Sequence, residues 1–327
     1  MKLFLTVCMA LLLCGCGSVE AEPVQTTAAE TVIAETLPEV TVPLEATVEA
    51  AALEEVPPPA VSIVLQAEPS GTLEERTEDA VVDYSHTEDG YIMVRFLSET
   101  DKKLKVQVKG PTTTYTYNLP VDEWTVFPLS DGEGNYKTTI YKNVSGTQYA
   151  TVMSASFAVT LTDEFAPFLR PNQYVNYFDS PDTMEMGAQL CTGLEHPLEK
   201  VAAVYDYVVA NLSYDYDKAS TVKSGYLPVL DQVLEEKKGI CFDYASLMTA
   251  MLRSQNVPCK LVVGYAGKTY HAWISVWTEE NGWVDGAIFF DGHQWKRMDP
   301  TFASSQARSE EIMEFIENGN YRVKYLY

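Results

Sequence analysis

A cysteine stands two positions after a glycine at the expected start of a helix, in the stretch KKGICFDYASLMTAMLRSQNV. Downstream of Cys241, the apolar residues Ala245, Met248 and Leu252 recur at helical spacing, so the helix is expected to begin at the cysteine. Unpaired amides and the helix dipole favour an anion at a first turn, and the thiolate is the nucleophilic form of cysteine. The alternative is a buried cysteine that serves as a small apolar side chain.

A cysteine nucleophile needs a base, and histidine is the usual one. Of the four histidines, His271 alone falls within a run of period two, KTYHAWISVW, which predicts a strand. In that strand His271 shares a face with Trp273, opposite Ala272 and Ile274. A histidine held in the core by hydrogen bonds is the competing interpretation. The other histidines lie at the start of an all-β region, before a helix and in a hairpin tip: His86, His196 and His293.

A third group is expected to orient the histidine, and three aspartates lie downstream of it. Asp291 has a complete explanation in the turn that it forms with Gly292. Asp285 precedes a glycine and also fits a turn, whereas Asp299 ends a predicted strand before Pro300. The residues themselves do not decide between Asp285 and Asp299.

Helices and then strands must position these groups. Apolar residues fall on one face between Leu198 and Leu212, after a proline suited to a first helical turn, and LPVLDQVLEEKKG predicts a short helix closed by Gly239. Beyond the Val257-Pro258 pair the period changes to two, in CKLVVGY, TYHAWISVWT and GWVDGAIFF. Helices followed by an antiparallel sheet predict an α+β domain over residues 164–327.

An all-β domain is expected before it, over residues 81–163. Short runs of period two, such as YIMVRFL, KLKVQVKG and YATVMSASFAVTL, are separated by turn clusters such as SDGEGN. Strands at this spacing predict an antiparallel sandwich of the immunoglobulin-like type, and Tyr136 fits the tyrosine corner of such domains. No residue of this block suggests catalysis, so we expect a spacer or a binding module.

Residues 1–16 have the features of a lipoprotein signal peptide. Lys2 precedes an apolar run that is too short to span a membrane as a mature helix, and the run ends in LCGC, which resembles the bacterial lipobox. This interpretation places the lipid on Cys16, and the alternative is an ordinary secretory signal. Two or more acyl chains would hold the protein stably on the membrane, outside the cytoplasm and without spanning the bilayer.

Residues 17–80 predict a disordered, extended stalk. The region holds 14 acidic residues and one basic residue, Arg76, and it is rich in Glu, Thr, Ala, Val and Pro. Such a composition buries too little apolar surface to offset the entropy of ordering. The whole chain carries a net charge of −23 and no basic stripe, which argues against a nucleic-acid partner.

Three sequence blocks, in order, resemble the transglutaminase-like superfamily: Gly-x-Cys opening a helix, HAW on a strand, and DPT ending a later strand. The resemblance spans residues 197–304 and implies a papain-like α+β fold. It implies Cys241 as the nucleophile, His271 as the base and acid, and Asp299 as the orienting residue. Such a reaction needs donors to its oxyanion, for which we expect the Cys241 backbone amide and Tyr214, in LSYDYD. Trp273 is expected to form a wall beside the histidine. A core position is the alternative for Tyr214 and for Trp273.

The expected function is that of a cell-surface lipoprotein that catalyses acyl transfer or hydrolysis at amide bonds of proteins or peptides through a thioester. The alternative is a non-catalytic adhesion or scaffold lipoprotein with a vestigial domain. No cofactor and no metal are expected, because Cys191, Cys241 and Cys259 lack metal-ligand spacing and no phosphate-binding loop occurs. Cys191 and Cys259 form either a disulfide or two buried thiols. The expected partner is a protein or peptide substrate, with the cell wall as one source, and the membrane is contacted through the lipid anchor only.

Overall fold

The computed structural model describes residues 58–266, 268–285, 288–290, 295–297 and 321–327. Two predicted site residues, Cys16 and Asp299, lie outside these ranges, as do the signal peptide and most of the stalk. The described residues all belong to one compact unit. None of the described helices is long and apolar enough to cross a lipid bilayer.

Between residues 58 and 159, all of them described, eight strands form: β1 (Glu74–Arg76), β2 (Ala80–Asp83), β3 (Tyr91–Phe96), β4 (Leu104–Lys109), β5 (Thr114–Leu119), β6 (Thr125–Pro128), β7 (Gly134–Ser145) and β8 (Gln148–Val159). They pair into two four-stranded antiparallel sheets, of order β1-β2-β3-β6 and β5-β4-β7-β8. Buried and exposed residues alternate along β5 and β8, as the period-two pattern predicts. Tyr117 of one sheet packs against Phe127 of the other, with ring centroids 4.9 Å apart.

Tyr136 makes the contact expected of a tyrosine corner. Its hydroxyl donates to the carbonyl oxygens of Gly132 (2.8 Å) and Leu129 (3.2 Å). Burial raises the pKa of this phenol, so it remains a neutral donor. The bonds fix the turn before β7 against the strand that follows it.

Five helices follow within the described residues: α1 (Pro181–Leu190), α2 (Pro197–Asn211), α3 (Tyr216–Thr221), α4 (Leu230–Glu236) and α5 (Cys241–Ser254). Helix α5 is central, because every residue from Asp243 to Ser254 is buried and α1, α2 and α4 pack around it. Gly187 permits a close crossing of α1 and α5, since a Cβ atom there would lie 3.2 Å from the Met251 Cα atom.

Helix α4 ends earlier than the sequence predicted. Lys237, with φ 50°, caps it in the left-handed conformation, whereas Gly239 lies in a short strand. A Cβ atom at Gly239 would lie 2.7 Å from the Asp243 Cβ atom. The glycine is therefore required by the start of α5 rather than by the end of α4.

A four-stranded antiparallel sheet lies against α5, with strands β11 (Cys259–Ala266), β12 (Thr269–Thr278), β13 (Gly282–Asp285) and β16 (Tyr321–Leu326) in the order β13-β12-β11-β16. Helix α5 packs on β11 and β12. Helices before an antiparallel sheet give the α+β architecture that the change of period predicted. Two smaller pairs of strands also form: parallel β9 (Ser213–Tyr214) with β10 (Lys238–Gly239), and antiparallel β14 (Ile288–Phe290) with β15 (Trp295–Arg297).

Aromatic rings join the sandwich to the α+β region. Tyr115 and Tyr117 of β5 contact the ring of Tyr327, with centroid distances of 5.7 and 5.8 Å. Tyr174, in the connection between β8 and α1, lies 4.6 Å from the same ring. The two regions therefore share one apolar core, and the predicted boundary at residue 163 falls within this connection.

Residues 60–66, which the composition assigned to the stalk, contact the folded region and are named here the N-terminal strap. The N–H of Ile63 donates to the Ser254 carbonyl (2.7 Å), and that of Ala60 donates to the Ala188 carbonyl (3.3 Å). The Ser254 carbonyl lies in the last turn of α5 and the Ala188 carbonyl in the last turn of α1. Carbonyl groups at such positions have no N–H donor within the helix. The folded part thus begins well before residue 80. VSIVLQ has the character of a strand, but its hydrogen-bond partners are distant in the sequence, in α1 and α5.

Candidate active site

Cys241 is the first residue of α5. Ile240 before it is extended (φ −96°, ψ 173°), so the Cys241 amide belongs to the first turn, whose N–H groups have no acceptor within the helix. Cys241 is partly exposed, whereas the helix from Asp243 onward is buried. The thiol therefore lies at a helix start that is open to solvent.

His271 lies in β12, opposite Gly264 of β11. It is buried, with 5% of its surface exposed, and its ring is stacked near that of Trp273 with 6.5 Å between centroids. A Cβ atom at Gly264 would lie 2.9 Å from Cη2 of Trp273 and 2.1 Å from the carbonyl oxygen of Arg322. The glycine thus lets three strands approach closely beneath the histidine.

Cys241 and His271 line the same cavity, of about 490 Å³. The packing of α5 on β12 brings them together, which is the arrangement expected from a helix followed by strands. Tyr214 also lines the cavity. Trp273 is fully buried, at 1% exposure, and is not among the lining residues. It therefore packs with His271 in the core rather than facing the cavity.

One wall of the cavity is aromatic and consists of Tyr174, Phe242, Tyr270 and Tyr327. The ring of Tyr174 contacts those of Phe242 (5.6 Å between centroids) and Tyr327 (4.6 Å). Burial raises the pKa of Tyr174 to about 12, so its hydroxyl is neutral at physiological pH. This wall presents ring surface and neutral hydroxyl groups rather than charge.

A second part of the lining comes from the end of α3 and the loop after it, residues 219–226, named here the loop wall. Its start is fixed by the N-cap of α3, where the Asp215 carboxylate accepts from the Lys218 amide at 2.9 Å. Its end is fixed by Gly225, whose carbonyl accepts from Nδ2 of Asn118 at 3.0 Å. Because Asn118 belongs to β5, the sandwich contributes to the cavity.

Asp243 is the residue of this site that sequence reasoning missed. It is completely buried, two residues after Cys241. Its carboxylate accepts from the Ile240 N–H (2.8 Å), the Lys218 ammonium (2.7 Å) and the Tyr226 hydroxyl (2.6 Å). An acidic residue at the third position of a helix, bonded back to the N-cap amide, is half of a capping box and was the available signal. Burial and the hydrogen bond to Asp243 raise the pKa of Tyr226, which keeps its hydroxyl a donor.

Tyr214 is placed by the short parallel pair β9–β10. Gly239 is the Cα partner of Tyr214, and the N–H of Asp215 donates to the Gly239 carbonyl at 2.8 Å. Strand β10 leads through Ile240 directly into Cys241. Tyr214 therefore lies beside the chain that enters the nucleophile's helix.

The candidates for a third group are not resolved by the described residues. Asp285 ends β13, and its backbone lies opposite Ser275 of β12. Asp291 and Asp299 lie outside the described residues. The choice between Asp285 and Asp299 stays a prediction.

The other thiols and His86 have local explanations. Cys191 and Cys259 are free and buried, so the disulfide alternative does not apply, and burial raises the pKa of each to about 11. His86 lies 3.1 Å from the Asp89 carboxylate. Across the part of the chain that the structure describes, no group of three or more His, Cys, Asp or Glu side chains could hold a metal ion.

Comparison with known proteins gives a family match over the same region. Residues 185–286, which include Cys241 and His271, match the model of the transglutaminase-like superfamily. The chain is 26% identical over 132 residues to the protein YebA of Bacillus subtilis (strain 168), covering 33% of this chain and 18% of that protein. It is 26% identical over 98 residues to a protein-glutamine gamma-glutamyltransferase of Pseudomonas aeruginosa, covering 26% of this chain and 13% of that protein. This chain thus spans less than a fifth of the length of either relative.

Among solved structures, the transglutaminase of red sea bream is 13% identical, with a TM-score of 0.28. The match covers 71% of this chain and 56% of that one. A structure described as a TGase is 19% identical over 53% of this chain and 48% of its own, with a TM-score of 0.28.

Proposed function

From the transglutaminase-like domain that the chain carries over residues 185–286, we propose that the protein catalyses acyl transfer or hydrolysis at amide bonds through Cys241. The observation that carries the proposal is the shared cavity, in which a partly exposed thiol at a helix start and a histidine on a strand line one space. A thiol next to an imidazole base is the combination that activates cysteine for attack on a carbonyl carbon.

In the proposed reaction His271 takes the proton of the Cys241 thiol, and the sulfur attacks the carbonyl carbon of an amide. The C–N bond breaks, His271 gives a proton to the leaving amine, and the acyl group stays on the sulfur as a thioester. A second amine or a water molecule then attacks the thioester, and His271 takes up its proton. The C–S bond breaks, and His271 returns the proton to the sulfur, which restores the thiol. An amine gives a crosslinked product and water gives a carboxylic acid.

The tetrahedral intermediate needs hydrogen-bond donors for its oxygen anion. The Cys241 backbone N–H is one by its place in the first turn of α5. Tyr214, which lines the cavity beside the chain that enters α5, is the proposed second donor.

His271 requires a partner that fixes its ring orientation and tautomer. Asp299 is the proposed partner, with Asp285 as the alternative. Trp273, stacked with His271 in the core, limits the rotation of the imidazole from the buried side. Its proposed role is to support the histidine, not to contact substrate.

We also propose that a lipid on Cys16 holds the protein outside the cytoplasm. The supporting features are the LCGC sequence after a short apolar run and the acidic stretch that follows it. The substrates would then be proteins or peptides of the cell surface, including peptides of the cell wall.

Intact-mass spectrometry tests the reaction. The purified protein is incubated with a panel of glutamine-containing peptides, with and without a primary amine. We expect an adduct with the mass of the peptide less that of ammonia. The adduct should be lost in Cys241→Ser and kept in Cys191→Ala, which removes a buried thiol. The released product shows whether amine or water resolves the thioester.

The alternative is a non-catalytic adhesion or scaffold lipoprotein. Absence of an adduct and of turnover on every amide tested, in a protein that is folded, would favour it.

A further inference from the structure

Two groups share the first turn of α5: the Cys241 thiol, which reacts as an anion, and the Asp243 carboxylate. Asp243 is completely buried, and a buried carboxylate is tolerated only when it is paired or fully hydrogen-bonded. An uncompensated carboxylate in the first turn of α5 would also disfavour a thiolate in that turn, because like charges repel. A cation beside Asp243 therefore favours reaction of Cys241 as a thiolate.

Lys218 supplies this cation. Its Nζ atom lies 2.7 Å from Oδ2 of Asp243, donates to the Tyr226 hydroxyl and lies 4.4 Å from the centroid of the Tyr226 ring. The Lys218 side chain is 28% exposed, whereas that of Asp243 is 0% exposed. Since Lys218 belongs to α3, whose end forms part of the loop wall, the ion pair joins α3 to the helix that carries the nucleophile.

We propose that Lys218 is a positioning residue that acts through Asp243: it neutralises the buried carboxylate, so that the start of α5 can hold the Cys241 thiolate. Tyr226 completes the arrangement by donating to the other carboxylate oxygen, at 2.6 Å, while it lines the cavity. The inference rests on Cys241 being the nucleophile, as in the proposed function, but its test needs no substrate.

Other titratable groups reach the cavity from each element around it. His271 and Tyr270 come from β12, Tyr214 from β9, Lys223 and Tyr226 from the loop wall, and Tyr174 and Tyr327 from the aromatic wall. Burial raises the pKa of Tyr174, Tyr226, Tyr270 and Tyr327, so these phenols carry no charge at neutral pH. A second ion pair lies nearby, between Lys238 and Asp215 at 3.2 Å. It provides a matched control, because it does not include Asp243.

The test is the rate of iodoacetamide labelling of Cys241 against pH, measured by mass spectrometry on the whole chain. Lys218→Gln keeps hydrogen-bond donors and removes the charge, whereas Lys218→Arg keeps the charge. We expect Lys218→Gln to slow labelling at neutral pH about five- to tenfold and to move half-maximal labelling to higher pH. Lys218→Arg and the control Lys238→Gln, at a more exposed pair, should stay within about twofold of the wild type.

A double variant separates charge from packing. In Lys218→Gln/Asp243→Asn both charges are gone, so labelling should return to within about threefold of the wild-type rate although the ionic hydrogen bonds are lost. Equal rates for Lys218→Gln and Lys218→Arg, or a double variant as slow as Lys218→Gln, would overturn the inference. If the double variant does not fold, the labelling rates of Lys218→Gln and Lys218→Arg decide whether the charge of Lys218 matters.

The failure of this inference differs from the failure of the proposed function. A protein that labels in the expected order across these variants but turns over no amide would refute the proposed activity and leave the role of Lys218 standing. A protein that turns over amides at the wild-type rate with Lys218→Gln would refute the role of Lys218 and leave the activity standing.

Discussion

Asn118 and Gly225 connect the sandwich to the cavity that holds Cys241: Nδ2 of Asn118, on β5, donates to the Gly225 carbonyl in the loop wall at 3.0 Å. Gln173 in turn holds Asn118. The Asn118 N–H donates to Oε1 of Gln173 (3.4 Å), and Nε2 of Gln173 donates to the Asn118 carbonyl (3.2 Å). Gly225 has φ +89°, a conformation that residues with a Cβ atom rarely adopt. The sandwich therefore fixes one end of the wall beside the nucleophile.

Asn118→Ala should loosen the loop wall without touching the reacting groups. Loss of the hydrogen bond to Gly225 predicts a rise in KM of about two- to fivefold for a peptide substrate, with kcat nearly unchanged. Steady-state kinetics measure both. The control is Asn143→Ala, whose amide bonds the carbonyls of Gly146 and Gln148 within a sandwich hairpin, and which should change neither constant. An unchanged KM in Asn118→Ala would show that the sandwich is only a spacer.

Iodoacetamide should label Cys241 well before Cys191 and Cys259. The latter two thiols are buried and their pKa is raised to about 11, so both access and thiolate content are low at neutral pH. Peptide mapping of timed samples gives the three rates. In denaturant the rates should converge, which serves as the control. Equal rates in the native protein would contradict the placement of Cys241 at an open helix start.

His271→Ala should abolish acyl transfer and slow the labelling of Cys241. Asp299→Ala should cost less, roughly a hundredfold in kcat/KM, because the thiol and imidazole survive with poorer orientation. Asp285→Ala should be nearly neutral. The measurement is kcat/KM for the three variants on one substrate, with circular dichroism as a check of folding. A larger loss at Asp285 than at Asp299 would reverse the assignment of the orienting residue.

Cys16→Ser should prevent lipid attachment. We expect the protein to appear in the medium or to remain unprocessed, since the apolar run before residue 16 is too short to hold it as a mature membrane helix. Cell fractionation with intact-mass measurement distinguishes the two results. Cys14→Ser is the matched control and should leave the anchored form unchanged. A Cys16→Ser protein found in the membrane fraction at the same mature mass would show that Cys16 carries no lipid.

Arg253→Met should destabilise the fold. Arg253 is buried in α5 and donates to the carbonyls of Arg170 (2.7 Å), Cys259 (2.8 Å) and Tyr327 (2.6 Å). Removing the guanidinium takes one donor from each of these carbonyls, at a cost of about 2–4 kcal/mol in the free energy of unfolding. Urea titration measures it. Arg95→Met, at an exposed ion pair, should cost less than about 1 kcal/mol.

The elements that carry the candidate nucleophile and base were predictable from the sequence. In α5 and β12 the apolar periods of 3.6 and two are strong and local, so a helix start at Cys241 and a strand around His271 follow from neighbouring residues. Their meeting in one cavity follows from a helix packed on the sheet that succeeds it.

The contacts around Asp243 were not predictable in the same way. Its partners Tyr226 and Lys218 lie 17 and 25 residues away, and an acidic residue in a first helical turn is ordinary in a solvent-exposed helix. Tertiary packing alone makes this one buried. Gly239 was misassigned to a helix end for the same reason, since the contact that requires a glycine is with the Asp243 side chain.

The N-terminal strap has a mechanical consequence. It is bonded to the carboxyl ends of α1 and α5, whereas Cys241 begins α5, 14 residues long, so about 20 Å of helix separates the strap from the thiol. Tension applied to the chain ahead of residue 58, as in a protein held by a tether, enters the folded unit at the bonds of Ala60 and Ile63. Those hydrogen bonds would break one after another before strain reached the cavity. A stretched tether would therefore release the strap first and leave Cys241 and His271 in their places around the cavity.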